Sequence, residues 1–97
     1  MDDRNVAALV SDSSERSRFE ITVDDRVVGF VAYRRRPGGI VFTHTEIDDA
    51  YQGRGLGGTL IRGALEAAAA EGLRITARCP FVADYVRRHP GEPPLSP

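Results

Sequence analysis

From Tyr51 to Thr59 the sequence reads Tyr-Gln-Gly-Arg-Gly-Leu-Gly-Gly-Thr, which places glycines at 53, 55, 57 and 58. Glycine removes the Cβ that keeps main-chain N–H groups away from a ligand, and the first turn of a helix leaves those groups unpaired and partially positive. A glycine loop that opens a helix is therefore an anion seat, most often for phosphate. The helix itself is legible in Leu56, Leu60, Ile61, Ala64, Leu65 and Ala68, which share one face at helical spacing. Gly72 followed by Leu73 predicts a left-handed cap in which Leu73 folds back on Ala68. A second reactive position is Cys79. Because Pro80 follows it, Cys79 is expected at the N-cap of a last helix, where unpaired amides favour a thiolate by about 1 kcal/mol. The alternative is a small apolar residue that completes a strand.

These groups must be held by a sheet. Phe19, Ile21 and Val23 alternate with polar residues, Asp24-Asp25 suits a two-residue turn, and Val27 to Arg34 returns with Val28, Phe30 and Ala32 on one face and Val27, Val31 and Tyr33 on the other. Arg34 to Gly39 then turns the chain, and Ile40 to Ile47 sets Ile40, Phe42 and His44 against Val41, Thr43 and Thr45. Beyond the helix, Ile75, Ala77 and Cys79 share one side of a further strand. A strand, a helix of this length and another strand make a βαβ unit with parallel strands, and the glycine loop then lies at their carboxyl ends. Phe81, Val82, Tyr85 and Val86 recur on one side of the last helix, and Pro90 stops it. Residues 1–17 and 91–97 are expected to be flexible, the former as an arm carrying at most a short strand or turn.

With 97 residues the chain is one domain, spanning 1–97, and its net charge of -1 gives no global attraction to nucleic acid or an anionic membrane. All 13 basic residues are arginines, which excludes a lysine Schiff base and a P-loop lysine. One cysteine and two histidines, His44 and His89, predict no disulfide and no metal site. The lack of an apolar run or leader-like start predicts a cytoplasmic protein, with no membrane and no nucleic acid among its partners. Gly53-x-Gly55-x-x-Gly58 also matches a dinucleotide fingerprint. That reading fails because the strand from Arg74 carries no acid for a ribose hydroxyl and the loop follows an antiparallel meander.

Gln52-Gly-Arg-Gly55-Leu-Gly57 resembles the Q/R-x-x-G-x-G/A loop of the GNAT superfamily of acetyl-CoA-dependent N-acetyltransferases. His44-Thr-Glu46, Cys79-Pro-Phe-Val82 and Arg87-Arg88-His89-Pro90 further resemble its short single-domain members, over roughly residues 18 to 90. The resemblance implies an α/β GNAT-like fold: a mixed, mostly antiparallel sheet with one parallel βαβ crossover and two main helices. It implies binding of acetyl-CoA or coenzyme A as cosubstrate and acetyl transfer to an unidentified amine, by a monomer or weak homodimer. Gln52, Gly53, Arg54, Gly55, Leu56, Gly57 and Gly58 would then hold the pyrophosphate, and backbone groups of Glu46 and Ile47 would pair with pantetheine. Glu46 becomes the candidate base, Tyr85 the candidate acid and Cys79 a candidate acyl acceptor. The alternatives are a non-catalytic CoA-binding module and, residue by residue, a polar strand end for Glu46 and core packing for Tyr85. Arg34 to Arg36 read first as a solvated turn and alternatively could meet an acidic acceptor or the adenosine phosphate, and Arg87 and Arg88 could reach the 3′-phosphate. The N-terminal helices that cover the acceptor site in the wider superfamily are expected to be missing or shrunken here, which leaves the acceptor pocket unassigned.

Overall fold

The computed structural model describes residues 8–90; the expectations for residues 1–7 and 91–97 fall outside them. Five strands form one sheet in the order β1-β2-β3-β4-β5: β1 (Ala8–Ser13), β2 (Arg18–Val23), β3 (Arg26–Arg36), β4 (Gly39–Ile47) and β5 (Arg74–Ala77). The first four are antiparallel neighbours, and β5 runs parallel to β4 from Gly39↔Arg74 to Phe42↔Ala77. Helix α1 (Leu56–Ala70) makes the crossover and α2 (Pro80–Arg88) follows β5. The architecture is thus the mixed α/β sheet with one parallel βαβ unit that the sequence predicts.

Local chemistry accounts for the turns. Asp24 and Asp25 both take positive φ, 51° and 65°, which is the twist a two-residue hairpin loop requires. Strand β3 outlasts the expected break at Arg34 and reaches Arg36, because Pro37-Gly38 alone closes the hairpin, with Gly38 at φ 72°. At the end of α1 the Gly72 N–H donates to the Ala69 carbonyl (2.9 Å) and the Leu73 N–H to that of Ala68 (3.1 Å), a Schellman cap.

Two bulges correct the expected strand faces. Thr22 pairs with Val27 and Ile21 with Gly29, so Val28 is an extra residue. It therefore joins Val31 and Tyr33 in the core, while Phe30 and Ala32 face the opposite side. Tyr33 pairs with Phe42 and Ala32 with His44, which leaves Thr43 as the extra residue on β4. Beyond it the phase inverts: Thr45 follows Phe42 onto the core face, and His44 and Glu46 turn to the other side instead of continuing the row of Ile40 and Phe42.

The core lies between the sheet and α1, whose Leu60, Ile61, Ala64, Leu65 and Ala68 are buried against Phe19, Ile21, Val31, Phe42 and Ile75. Truncating Leu60 or Leu65 to alanine would cost about 2–5 kcal/mol. Residues 8–17 form a strand and a short 3-10 turn, more structure than an arm. Val10 fits against α1 only because residue 63 is glycine: a Cβ there would lie 2.9 Å from Val10. Asp12 accepts a 2.6 Å hydrogen bond from the Tyr33 hydroxyl. No helix among the described residues is long and apolar enough to cross a membrane.

Candidate functional site

The loop between β4 and α1 begins with a short 3-10 turn (Asp49–Tyr51). The Gln52 side chain then donates to the Ile47 carbonyl (3.2 Å) and to Asp49 Oδ1 (3.3 Å), tying the loop to the end of β4. Gly53 at φ 81° and Gly55 at φ 76° make a reversal that a side chain would strain, and Gly55 is the residue that caps α1. The first helical bond runs from the Thr59 N–H to the Gly55 carbonyl (3.2 Å). The amides of Leu56, Gly57 and Gly58 thus precede any helical acceptor, and no side chain caps them. Their partial positive charge faces a cavity of about 560 Å³.

That cavity is walled on one side by Thr45, Glu46 and Ile47 at the end of β4, and on another by Gly53, Gly55, Leu56, Gly57 and Gly58. It exists because the parallel pairing stops. The last rung is the Arg78 N–H donated to the Phe42 carbonyl (2.8 Å), after which β5 gives way to α2 while β4 runs on to Ile47 beside β3 alone. Asp49, Tyr51, Gln52 and Phe81 of α2 complete the lining.

The expected site residues divide accordingly. Glu46, Ile47, Gln52, Gly53, Gly55, Leu56, Gly57 and Gly58 line one cavity. Arg54 is not among the lining residues, and its guanidinium sits 5.2 Å over the Tyr51 ring. The Glu46 carboxylate lies on the helix-free face, 2.7 Å from His44 Nε2, and both side chains are exposed. Cys79 is the buried N-cap of α2, but its sulfur makes no capping bond; it contacts Thr45 Oγ1 at 3.3 Å, across the gap between the diverging strands. Tyr85 is buried behind the cavity wall, against α1 at Gly58 and stacked on His89 with ring centroids 4.0 Å apart. Arg87 and Arg88 both pair with Asp84.

Phe81 is the cavity-lining residue whose face the sequence pattern misassigned. Its side chain is 45% exposed, whereas Val82 and Tyr85 hold the buried face. One residue ahead of Val82 is a 100° rotation around the helix, enough to swing Phe81 toward α1. The signal was Gly57: a Cβ there would lie 2.6 Å from the Phe81 ring, so the glycine makes room for the aromatic.

A family model described as GCN5-related N-acetyl-transferase matches residues 18–93. Protein NATD1 of Gallus gallus and Protein NATD1 of Mus musculus are each 38% identical to the chain over 47 residues, covering 48% of the chain and 43% of the relative. The match therefore spans less than half of the length of these relatives. The NMR solution structure of a GCN5-like protein from Staphylococcus aureus shares the fold, with a TM-score of 0.66 over 96% of this chain and 91% of that one, at 22% identity.

Proposed function

The chain belongs to the GCN5-related N-acetyltransferase family, and from that premise we propose that it binds acetyl-CoA in the cavity between β4 and α1 and transfers the acetyl group to an amine. The observation that carries this reading is the shared cavity: amides free of helical acceptors on one wall and a strand end freed from its parallel neighbour on the other. A diphosphate suits the first wall because anions gain from the helix terminus and from N–H donors fixed in place. A pantetheine arm, which carries amides, suits the second, where Glu46 and Ile47 line the cavity at the end of β4. When bound, the cosubstrate supplies the activated thioester.

The chain's own groups supply the rest. The amine must be neutral to attack, and the Glu46 carboxylate is the proton acceptor, with His44 holding it at 2.7 Å. Its position on the helix-free face assigns that face to the acceptor, opposite the face on which α1 meets the diphosphate. Tyr85 is the proposed donor to the departing thiolate, reached from behind the wall at Gly58.

A second reading takes the acetyl group onto Cys79 first. The 3.3 Å contact with Thr45 favours it, because that hydroxyl faces the sulfur at the very gap where the strands part. The test of the common premise is calorimetry with CoA and acetyl-CoA, together with amide NMR shifts of residues 52–58. Saturable binding that moves those amides is expected. A flat titration with unmoved amides overturns both readings.

A further inference from the structure

We propose that the helix-free face of the sheet, where β3, β4 and β5 meet, docks an acidic peptide segment that carries the acceptor amine; this inference rests on the acetyltransferase reading and names the substrate class for it.

Strand register builds the patch. Arg34 pairs with Val41, which in turn pairs with Thr76 of β5, and Arg36 pairs with Gly39, which pairs with Arg74. Alternation along β5 adds Arg78, since the intervening Ile75 and Ala77 turn to the core. Arg36, Arg74 and Arg78 border a groove of about 250 Å³ with Val41 and Thr76 at its base. Val41 is only 6% exposed although no helix covers it, so the long stems of the flanking arginines shelter it.

These arginines differ from most others in the chain. Arg16 and Arg18 bind Glu20, Arg35 binds Asp12 and Glu71, Arg62 binds Glu66, and Arg87 and Arg88 bind Asp84. Arg34, Arg36, Arg74 and Arg78 have no carboxylate partner among the described residues, and none of the face positions between them is acidic. Clustered like charge on neighbouring strands is unfavourable by itself and is relieved by an anionic partner.

The patch is continuous with the proposed base. Phe30, Ala32, Arg34 and Arg36 follow one another on the same face of β3, with Glu46 beside Phe30 and His44 beside Ala32. From Phe30 to Arg34 is about 13 Å, the reach of four extended residues. An amine at Glu46 thus places carboxylates a few residues away over the arginines. A peptide fits better than a nucleic acid. The groove is short, the whole chain carries a charge of -1, and Phe30, the one Phe, Tyr or Trp side chain among the described residues of this face of β3 to β5, is already covered by Arg18 at 4.4 Å.

The test uses a fluorescent peptide with one lysine followed by four glutamates, its glutamine counterpart and a single-stranded oligonucleotide of equal length. Binding is read by anisotropy against the full chain at low and near-physiological salt. The wild type is expected to prefer the glutamate peptide at least about tenfold, with the preference shrinking as salt rises. Arg74→Gln with Arg78→Gln should abolish the preference, and Arg26→Gln, on the β2–β3 hairpin, should keep it. Equal binding of the two peptides, a preference that survives the double substitution, or tighter binding of the oligonucleotide overturns the inference. CoA titration of the same samples separates the two levels. Intact CoA binding without peptide preference sinks only the substrate class, whereas loss of CoA binding in the wild type sinks the transferase reading.

Discussion

The Cys79 sulfur and the Thr45 hydroxyl face each other at 3.3 Å across the point where β4 and β5 stop pairing. Cys79 is the N-cap of α2 as expected, and its sulfur makes this contact rather than a capping bond to the amides of the helix. The contact fixes the thiol in a buried site at the gap, where direct transfer and transfer through the thiol can be told apart. Direct transfer is the expected route. Intact-mass analysis after incubation with acetyl-CoA alone should register no adduct, and Cys79→Ala should still turn over. A gain of one acetyl group that Cys79→Ser removes would move the chemistry onto the sulfur.

In the proposed reading Glu46 serves the site twice, by lining the cavity beside Ile47 and through its carboxylate on the helix-free face beside His44. Substitution separates the two contributions, because Glu46→Gln leaves the main chain in place. The rate of acetyl transfer should fall by about 10²–10⁴-fold, the usual worth of a general base, while calorimetric affinity for CoA stays unchanged. A parallel loss of CoA affinity would show that the side chain acts on binding instead.

Gly55 caps α1 at φ 76°, a conformation that costs a residue with a Cβ about 1–2 kcal/mol. No neighbour lies within 4 Å of the position where that Cβ would project, so Gly55→Ala meets conformational strain without a clash. Gly57→Ala is the complement, a steric conflict with Phe81 at a residue of ordinary helical conformation. Both should weaken CoA binding in calorimetry. Only the Gly57→Ala loss should be recovered by adding Phe81→Ala, since only there does the ring stand in the way.

The elements were readable because their patterns are local. The Asp24-Asp25 turn, the α1 stripe ending at Gly72-Leu73 and the Pro80 start of α2 are each specified by adjacent residues. The glycines that line the cavity were readable for the same reason. The faces of β3 and β4 were not, because Val28 and Thr43 are extra only relative to partner strands, and a bulge leaves no mark in a single strand's alternation. That is why His44 was expected on the core side and lies instead beside Glu46. The docking of β1, as distinct from a short strand there, was not legible, because its polar Asp12 is matched by Tyr33, 21 residues away, and its Val10 by a glycine on α1.

Tyr33 ties β1 to β3 through the 2.6 Å bond to Asp12, over the intervening β2. Burial, and next the hydrogen bond to Asp12, raise the Tyr33 pKa above its ordinary value of 10.0, since both favour the neutral phenol. The sign of the linkage follows. Below pH 10 the phenol is protonated in folded and unfolded chains alike, and its contribution to stability is complete. As pH rises further the unfolded chain releases the proton first, so stability falls until the folded phenol also ionises. Tyr33→Phe should therefore cost about 1.5–3 kcal/mol at neutral pH, the range for a hydrogen bond to a charged acceptor. It should also flatten the alkaline decline seen in urea midpoints measured from neutral pH to beyond pH 10. An equally steep decline in the variant would place the responsible proton on another group.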